Sequence, residues 1–213
     1  MSEPVKPRRS YRSALRRRQA ERTRTSVLDA AARHLEREGY GGSSLRLIAE
    51  SAGVSVETVY ATFGSKAALF AALGARNLQA AIRRAVPGGD LRALIDGRDL
   101  EAQITAFGQV APAIMGPNWA IMEALRVGGA TDAELAAAYR TGSEGRRGWM
   151  RGFAEAWSAM GHLRDGIGVD TAVDVLWAIT APDVYRLLVV EAGWSQDRYA
   201  AWLTEAARAL VLG

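Results

Sequence analysis

From about residue 20 to the end of the chain, apolar side chains return every three or four positions, and the stretches that carry them are bounded by serine or threonine on one side and glycine or proline on the other. That spacing lines one face of an α-helix. A half-buried strand needs apolar and polar residues in strict alternation, and no segment supplies it. An all-α fold is expected.

The punctuation residues place the helices. Val27, Leu28, Ala31 and Leu35 form the stripe of a first helix, from about residue 20, that Gly39 stops. Ser43 or Ser44 can cap a second helix with Leu45, Ile48, Ala49 and Ala52 on its apolar face, ending at Gly53. Ser55 caps a very short third helix from Val56 to near Thr62, and Ser65 caps a long fourth one that Pro87, Gly88 and Gly89 terminate. Beyond residue 90, Ile104, Phe107, Ala111 and Ile114 make one stripe, and Trp119, Met122 and Leu125 or Val127 make another. The segment from Thr131 to Met160 sets Trp149, Phe153, Trp157 and Met160 on one face and Gly142, Gly145, Gly148 and Gly152 on another. Inside a helix each glycine costs about 1 kcal/mol relative to alanine. Either a neighbouring helix comes close along 142–152 or the segment is broken there. A helix from about Thr171 kinks or restarts at Pro182 and closes at Gly193, and Ser195 caps a last helix bearing Tyr199, Trp202, Leu203, Ala206 and Leu210.

The second and third helices meet in a corner with a recognisable steric grammar. A helix-turn-helix needs a small residue where the helices cross, a glycine in the turn and an apolar residue folding back from the second helix. Ala49, Gly53 and Val59 satisfy it. An ordinary helical corner could show the same three types, but the outward face of the third helix adds weight. Glu57, Thr58, Tyr60, Ala61 and Thr62 form a surface suited to the major groove, where hydroxyls serve base edges or phosphates. Lys66, at the start of the fourth helix, is placed to hold a phosphate together with the helix N-terminus.

Charge is spread unevenly. Residues 1–24 hold nine Lys and Arg against Glu3 and Glu21, a local +7 in a chain of net charge +4. With Pro4, Pro7 and few apolar anchors, residues 1–19 read as a basic, flexible arm. It is either a solubilising tail or, because arginine dominates and a DNA-binding candidate follows, an arm that brings Arg8 and Arg9 to the minor groove. With no cysteine and only His34 and His162, thiolate metal sites are excluded, and neither metal nor cofactor is expected. No nucleophile–base pair and no glycine-rich phosphate loop after a strand suggests an enzyme. No stretch approaches 18 apolar residues, and the start of the chain lacks the apolar run of a secretory signal, so a cytoplasmic protein without a membrane partner is expected.

Thr25 to Phe70, through VLDAAARHLEREGY, SSLRLIAESAGVSVETVY and TFGSKAALF, resembles the tetracycline-repressor (TetR) family of bacterial regulators. The resemblance implies a helix-turn-helix DNA-binding domain over 20–70 and a larger helical effector-binding and dimerisation domain over 71–213, with the last two long helices pairing with their twins in a homodimer. By position, Tyr60 and Lys66 look like the family's phosphate contacts, Ser44 and Arg46 like further backbone or base contacts, and Ser55, Glu57 and Thr58 lie where groove contacts fall. The family often has a second aromatic and a histidine after the tyrosine, where this chain has Ala61 and Thr62. The function implied is a repressor released from a palindromic double-stranded operator by a small molecule, with an activator or an effector-independent regulator as the alternative.

All six tryptophans follow residue 118. Large aromatics and pliable methionines can line a cavity for flat or greasy effectors, and Phe107, Met115, Trp119, Met122, Trp149, Phe153, Trp157 and Trp177 are the candidates. The same stripe serves equally as core.

Overall fold

In the computed structural model the backbone of residues 8–213 and the side chains of 15–86 and 88–213 are described. The elements are α1 (Arg8–Gly42), α2 (Leu45–Ala52), α3 (Val56–Phe63), α4 (Lys66–Ala85), α5 (Leu91–Ile95), α6 (Leu100–Gly128), α7 (Ala133–Ala159), α8 (Val169–Ile179), α9 (Pro182–Tyr185) and α10 (Gln196–Val211). A π turn, Arg186–Glu191, follows α9. The fold is all-α: the one strand-like contact among the described residues is an isolated bridge between Leu163 and Leu212. No helix of the described residues is long and apolar enough to cross a membrane.

The chain divides into two compact units after Leu73, within α4. In the first, Val27, Leu28, Ala31 and Leu35 of α1 are buried together with Leu45 and Ile48 of α2, Val59 of α3 and Leu69, Phe70 and Leu73 of α4. Ser44 rather than Ser43 caps α2, accepting from the Leu47 N–H at 3.2 Å, while the buried Ser43 hydroxyl donates to the Gly39 carbonyl at 2.6 Å. One expectation changes. α1 starts at Arg8, not near residue 20, so the basic segment is helical along much of its length, with residues 15–22 all exposed. The cause lies in the residues after Pro7: arginine, alanine, leucine, glutamine and glutamate are strong helix formers, and no proline or glycine interrupts them before Gly39.

In the second unit α10 lies along α6, and Gly108 permits the approach. A Cβ there would stand 2.0 Å from Thr204 Oγ1 and 2.8 Å from the Ala200 carbonyl oxygen. Tyr199, Leu203, Ala207 and Val211 of α10 are buried within the subunit, whereas Leu210 stays exposed. α6 runs unbroken through Pro112 and Pro117 and so joins the two stripes read from the sequence. α7 is likewise continuous through its glycines, and a Cβ at Gly142, Gly145 or Gly148 would meet nothing within 4 Å. Neither a break nor a close neighbour within the subunit explains them. At Pro182 the chain restarts rather than kinks: α8 ends at Ile179 and the proline occupies the first turn of α9, where its missing N–H costs nothing.

Candidate nucleic-acid interface and effector domain

The corner between α2 and α3 is built by backbone hydrogen bonding around Gly53. Its N–H donates to the Glu50 carbonyl at 3.1 Å and the Val54 N–H to the Ala49 carbonyl at 3.0 Å, the reciprocal pair that closes a helix on a left-handed residue. Gly53 sits at φ 68°, ψ 33°, where a side chain would be strained. Ala49 and Val59 are both buried where α2 packs on α3, so the opposite side of α3 is turned outward.

That outward side carries Glu57, Tyr60 and Ala61, with Thr58 and Thr62 half-buried. Tyr60 is 53% exposed, an unusual setting for a large aromatic. The hydroxyls are partly engaged. Ser55 caps α3 by accepting from the Thr58 N–H at 3.2 Å and lies 3.1 Å from Thr58 Oγ1, and Thr62 Oγ1 donates to the Thr58 carbonyl at 2.7 Å. Ser44 and Ser55 therefore have structural duties as caps. The backbone N–H of Glu57 and the Ser55 hydroxyl hold the Glu57 carboxyl below its ordinary pKa, so it is an acceptor on the reading face. Arg46 is exposed on α2.

Lys66 is more occupied than its sequence position suggests. Its ammonium donates to the Tyr40 carbonyl at 2.5 Å and stands 4.2 Å from the centre of the Tyr40 ring. Burial pushes its pKa down. Two of its three N–H groups remain for a phosphate. The side chains of Arg8 and Arg9 lie outside the described residues.

A wall of the site that sequence reading missed is α1 itself. Arg16, Gln19, Thr23 and Arg24 of α1 face Thr58, Ala61 and Thr62 of α3 across a groove of about 550 Å³. Arg24 lies 4.7 Å over the ring of Phe63 at the end of α3. The available signal was helix propensity after Pro7, which carries the arginines onto a rigid rod beside α3.

In the second unit the structure brings only some candidates together. Phe107, Phe153 and Trp157 pack edge to face or tilted at 5.6 to 6.0 Å and fill the core, with Met115 also buried. Trp119 stands 5.6 Å from Tyr185, and Met122 packs half-buried against the core. Trp149 lines a separate cleft of about 310 Å³ with Arg92, Ile95, Arg98, Gly152 and Met160. Trp177 lies under two arginines, Arg146 at 5.0 Å and Arg147 at 5.4 Å.

A glycine-closed corner that buries an alanine and a valine and turns a tyrosine outward, beside an arginine-rich helix, defines a helix-turn-helix DNA-binding transcriptional regulator. Residues 27–73 match the family described as bacterial regulatory proteins, tetR family. It is 27% identical over 170 residues to an uncharacterized HTH-type transcriptional regulator, YdeS, of Bacillus subtilis (strain 168), spanning 79% of this chain and 80% of that protein. Among solved structures, a transcriptional regulator of Saccharomonospora viridis in complex with choline superposes with a TM-score of 0.68 at 18% identity, over 89% of this chain and 97% of that one. NalD, the secondary repressor of the MexAB-OprM multidrug efflux pump in Pseudomonas aeruginosa, gives 0.67 at 19% identity, over 91% and 98%. At these identities the likeness shows the shared fold: a small reading domain and a larger helical domain. The relatives are transcriptional regulators.

Proposed function

We propose that this chain is a repressor that holds a two-fold symmetric operator as a homodimer and lets go when a small molecule occupies its larger domain. The observation that carries the reading is the corner at Ala49, Gly53 and Val59, because it fixes the direction in which α3 presents Tyr60. In this reading Tyr60, Lys66 and Ser44 serve phosphates, Glu57, Thr58 and Thr62 face the major groove, and Arg46 and Ser55 add backbone or base contacts. The arginines of α1, from Arg16 to Arg24, extend the footprint along the phosphate strand as a helix.

Dimerisation supplies the second reading head. Leu187 and Val190 on the π turn and Leu210 on α10 are large apolar side chains left exposed, and they support pairing through the last helical segments. Release follows if the effector prefers one spacing of the two heads. A coupling of about 1 to 3 kcal/mol changes affinity roughly 5 to 150-fold. α4, within whose length the division between units falls, is the lever.

Selection of bound sequences from random duplex tests this. The expected product is a palindrome whose half-sites lie one helical turn, or a multiple of it, apart. Its affinity should fall on the order of 10³-fold between 50 and 200 mM salt if each dimer meets at least six phosphates. Enrichment of no sequence, or of single half-sites, would overturn the symmetric reading.

A further inference from the structure

α7 and α8 run antiparallel along a seam of arginines, and one of those arginines has no acid. Arg151 Nη2 donates to Asp170 Oδ1 at 2.8 Å and Arg147 Nη2 to Asp174 Oδ1 at 2.6 Å. These pairs are exposed. Arg146, one residue from Arg147 and more deeply set, meets no carboxylate among the described residues. Its Nη1 donates to the Trp177 carbonyl at 2.5 Å and to Thr180 Oγ1 at 2.9 Å, which closes the end of α8, while Nε and Nη2 have no protein acceptor among the described residues. Partial burial lowers its pKa to about 10, so it stays charged at neutral pH with part of its hydration removed. A partly desolvated cation without a counter-ion is stabilised when an anion reaches its open side.

A second observation points the same way. The indole Nε1 of Trp177, whose ring centre lies 5.0 Å from the Arg146 guanidinium, is buried and has no acceptor. Unmet buried donors are few in a folded chain, and among the described residues the other indole in this state, Trp157, lies in the core away from any charge. Two donor groups at one place therefore lack an acceptor, and the half-buried Trp177 ring beside them offers an apolar face.

We propose that Arg146 and the Trp177 indole N–H form the anion anchor of a binding site in the larger domain, which takes a small organic acid by its carboxylate and packs the acid's apolar body against Trp177. This deepens the effector reading above and rests on it. The seam would repel a cation such as the choline bound by the Saccharomonospora viridis protein.

Three probes with one ring system and three charges test the assignment: 1-naphthoate, 1-naphthylmethanol and 1-naphthylmethylamine, titrated calorimetrically into the intact protein. The carboxylate should bind at least about tenfold more tightly than the alcohol, with the amine weakest. Arg146→Gln should erase that preference. Trp177→Phe, which keeps the ring and deletes the N–H, should reduce it a few-fold. Arg147→Gln should leave it intact, and circular dichroism checks that each variant is folded; if Arg146→Gln is not, Trp177→Phe carries the test. Equal binding of the three probes, no binding of the carboxylate, a preference surviving in folded Arg146→Gln, or an undiminished preference in folded Trp177→Phe would overturn the proposal. Duplex binding by the same protein separates the failures: retained binding with no naphthoate preference sinks the anion anchor alone, and no duplex binding sinks the regulator reading.

Discussion

In the smaller unit Tyr60 stands half in solvent on α3, whereas in the larger unit Trp157 is fully buried against Phe107 and Phe153, although both are large aromatics at helical spacing. The difference separates two ways of carrying function. In the first unit a small core leaves one side of α3 pointing outward, and the outward-facing residues follow from which side the core occupies. In the second, the residue types that would grip an apolar effector are the types that hold the domain together, so spacing alone cannot assign them.

Replacing Trp157 by alanine tests this separation with the largest expected effect. Removing a fully buried indole costs about 3 to 5 kcal/mol. Urea unfolding should show that loss, with any fall in operator affinity following the fraction unfolded. A variant that unfolds like the parent but loses effector response would move Trp157 from core to binding site.

What could be read beforehand follows the same division. The caps at Ser44, Ser55 and Ser65 and the turn at Gly53 are local events, fixed by one side chain and a few backbone groups, and they were visible as such. The extent of α1 was hidden because Pro4, Pro7 and a dense arginine run have the composition of an unfolded tail, although the residues after Pro7 favour a helix. The continuity of α6 was hidden for the opposite reason. Pro112 and Pro117 each remove an N–H, yet the helix runs on through both, with Pro112 buried in the packed domain. That Arg146 meets no carboxylate was beyond reach, since lacking an acid is a property of α7 and α8 together.

The corner should tolerate less than its surface. Gly53→Val forces a β-branched residue into positive φ, at about 1 to 3 kcal/mol, although there is open space for the added carbons. Chemical denaturation measures the loss, and a variant of unchanged stability would show that the turn relaxes at no cost. Tyr60→Ala should do the reverse. It should leave stability within about 0.5 kcal/mol, as exposed positions do, and weaken operator binding about tenfold if the hydroxyl's hydrogen bond to phosphate is lost. Unchanged affinity in a mobility shift would remove Tyr60 from the interface.

The smallest effect asks the sharpest question of the larger unit. Gly145 lies inside α7 with nothing within 4 Å of a Cβ placed there, so Gly145→Ala restores helix propensity without a clash inside the subunit. The expected gain is about 0.5 to 1 kcal/mol in thermal unfolding, with the dimerisation constant unchanged. A weaker dimer would mean that the glycine face of α7 approaches a second subunit closely, and the interface would then shift from the last helical segments to α7. A more stable monomer unit and an unaltered dimer would leave those glycines as a cost in helix propensity that the apolar face carrying Phe153 and Trp157 outweighs.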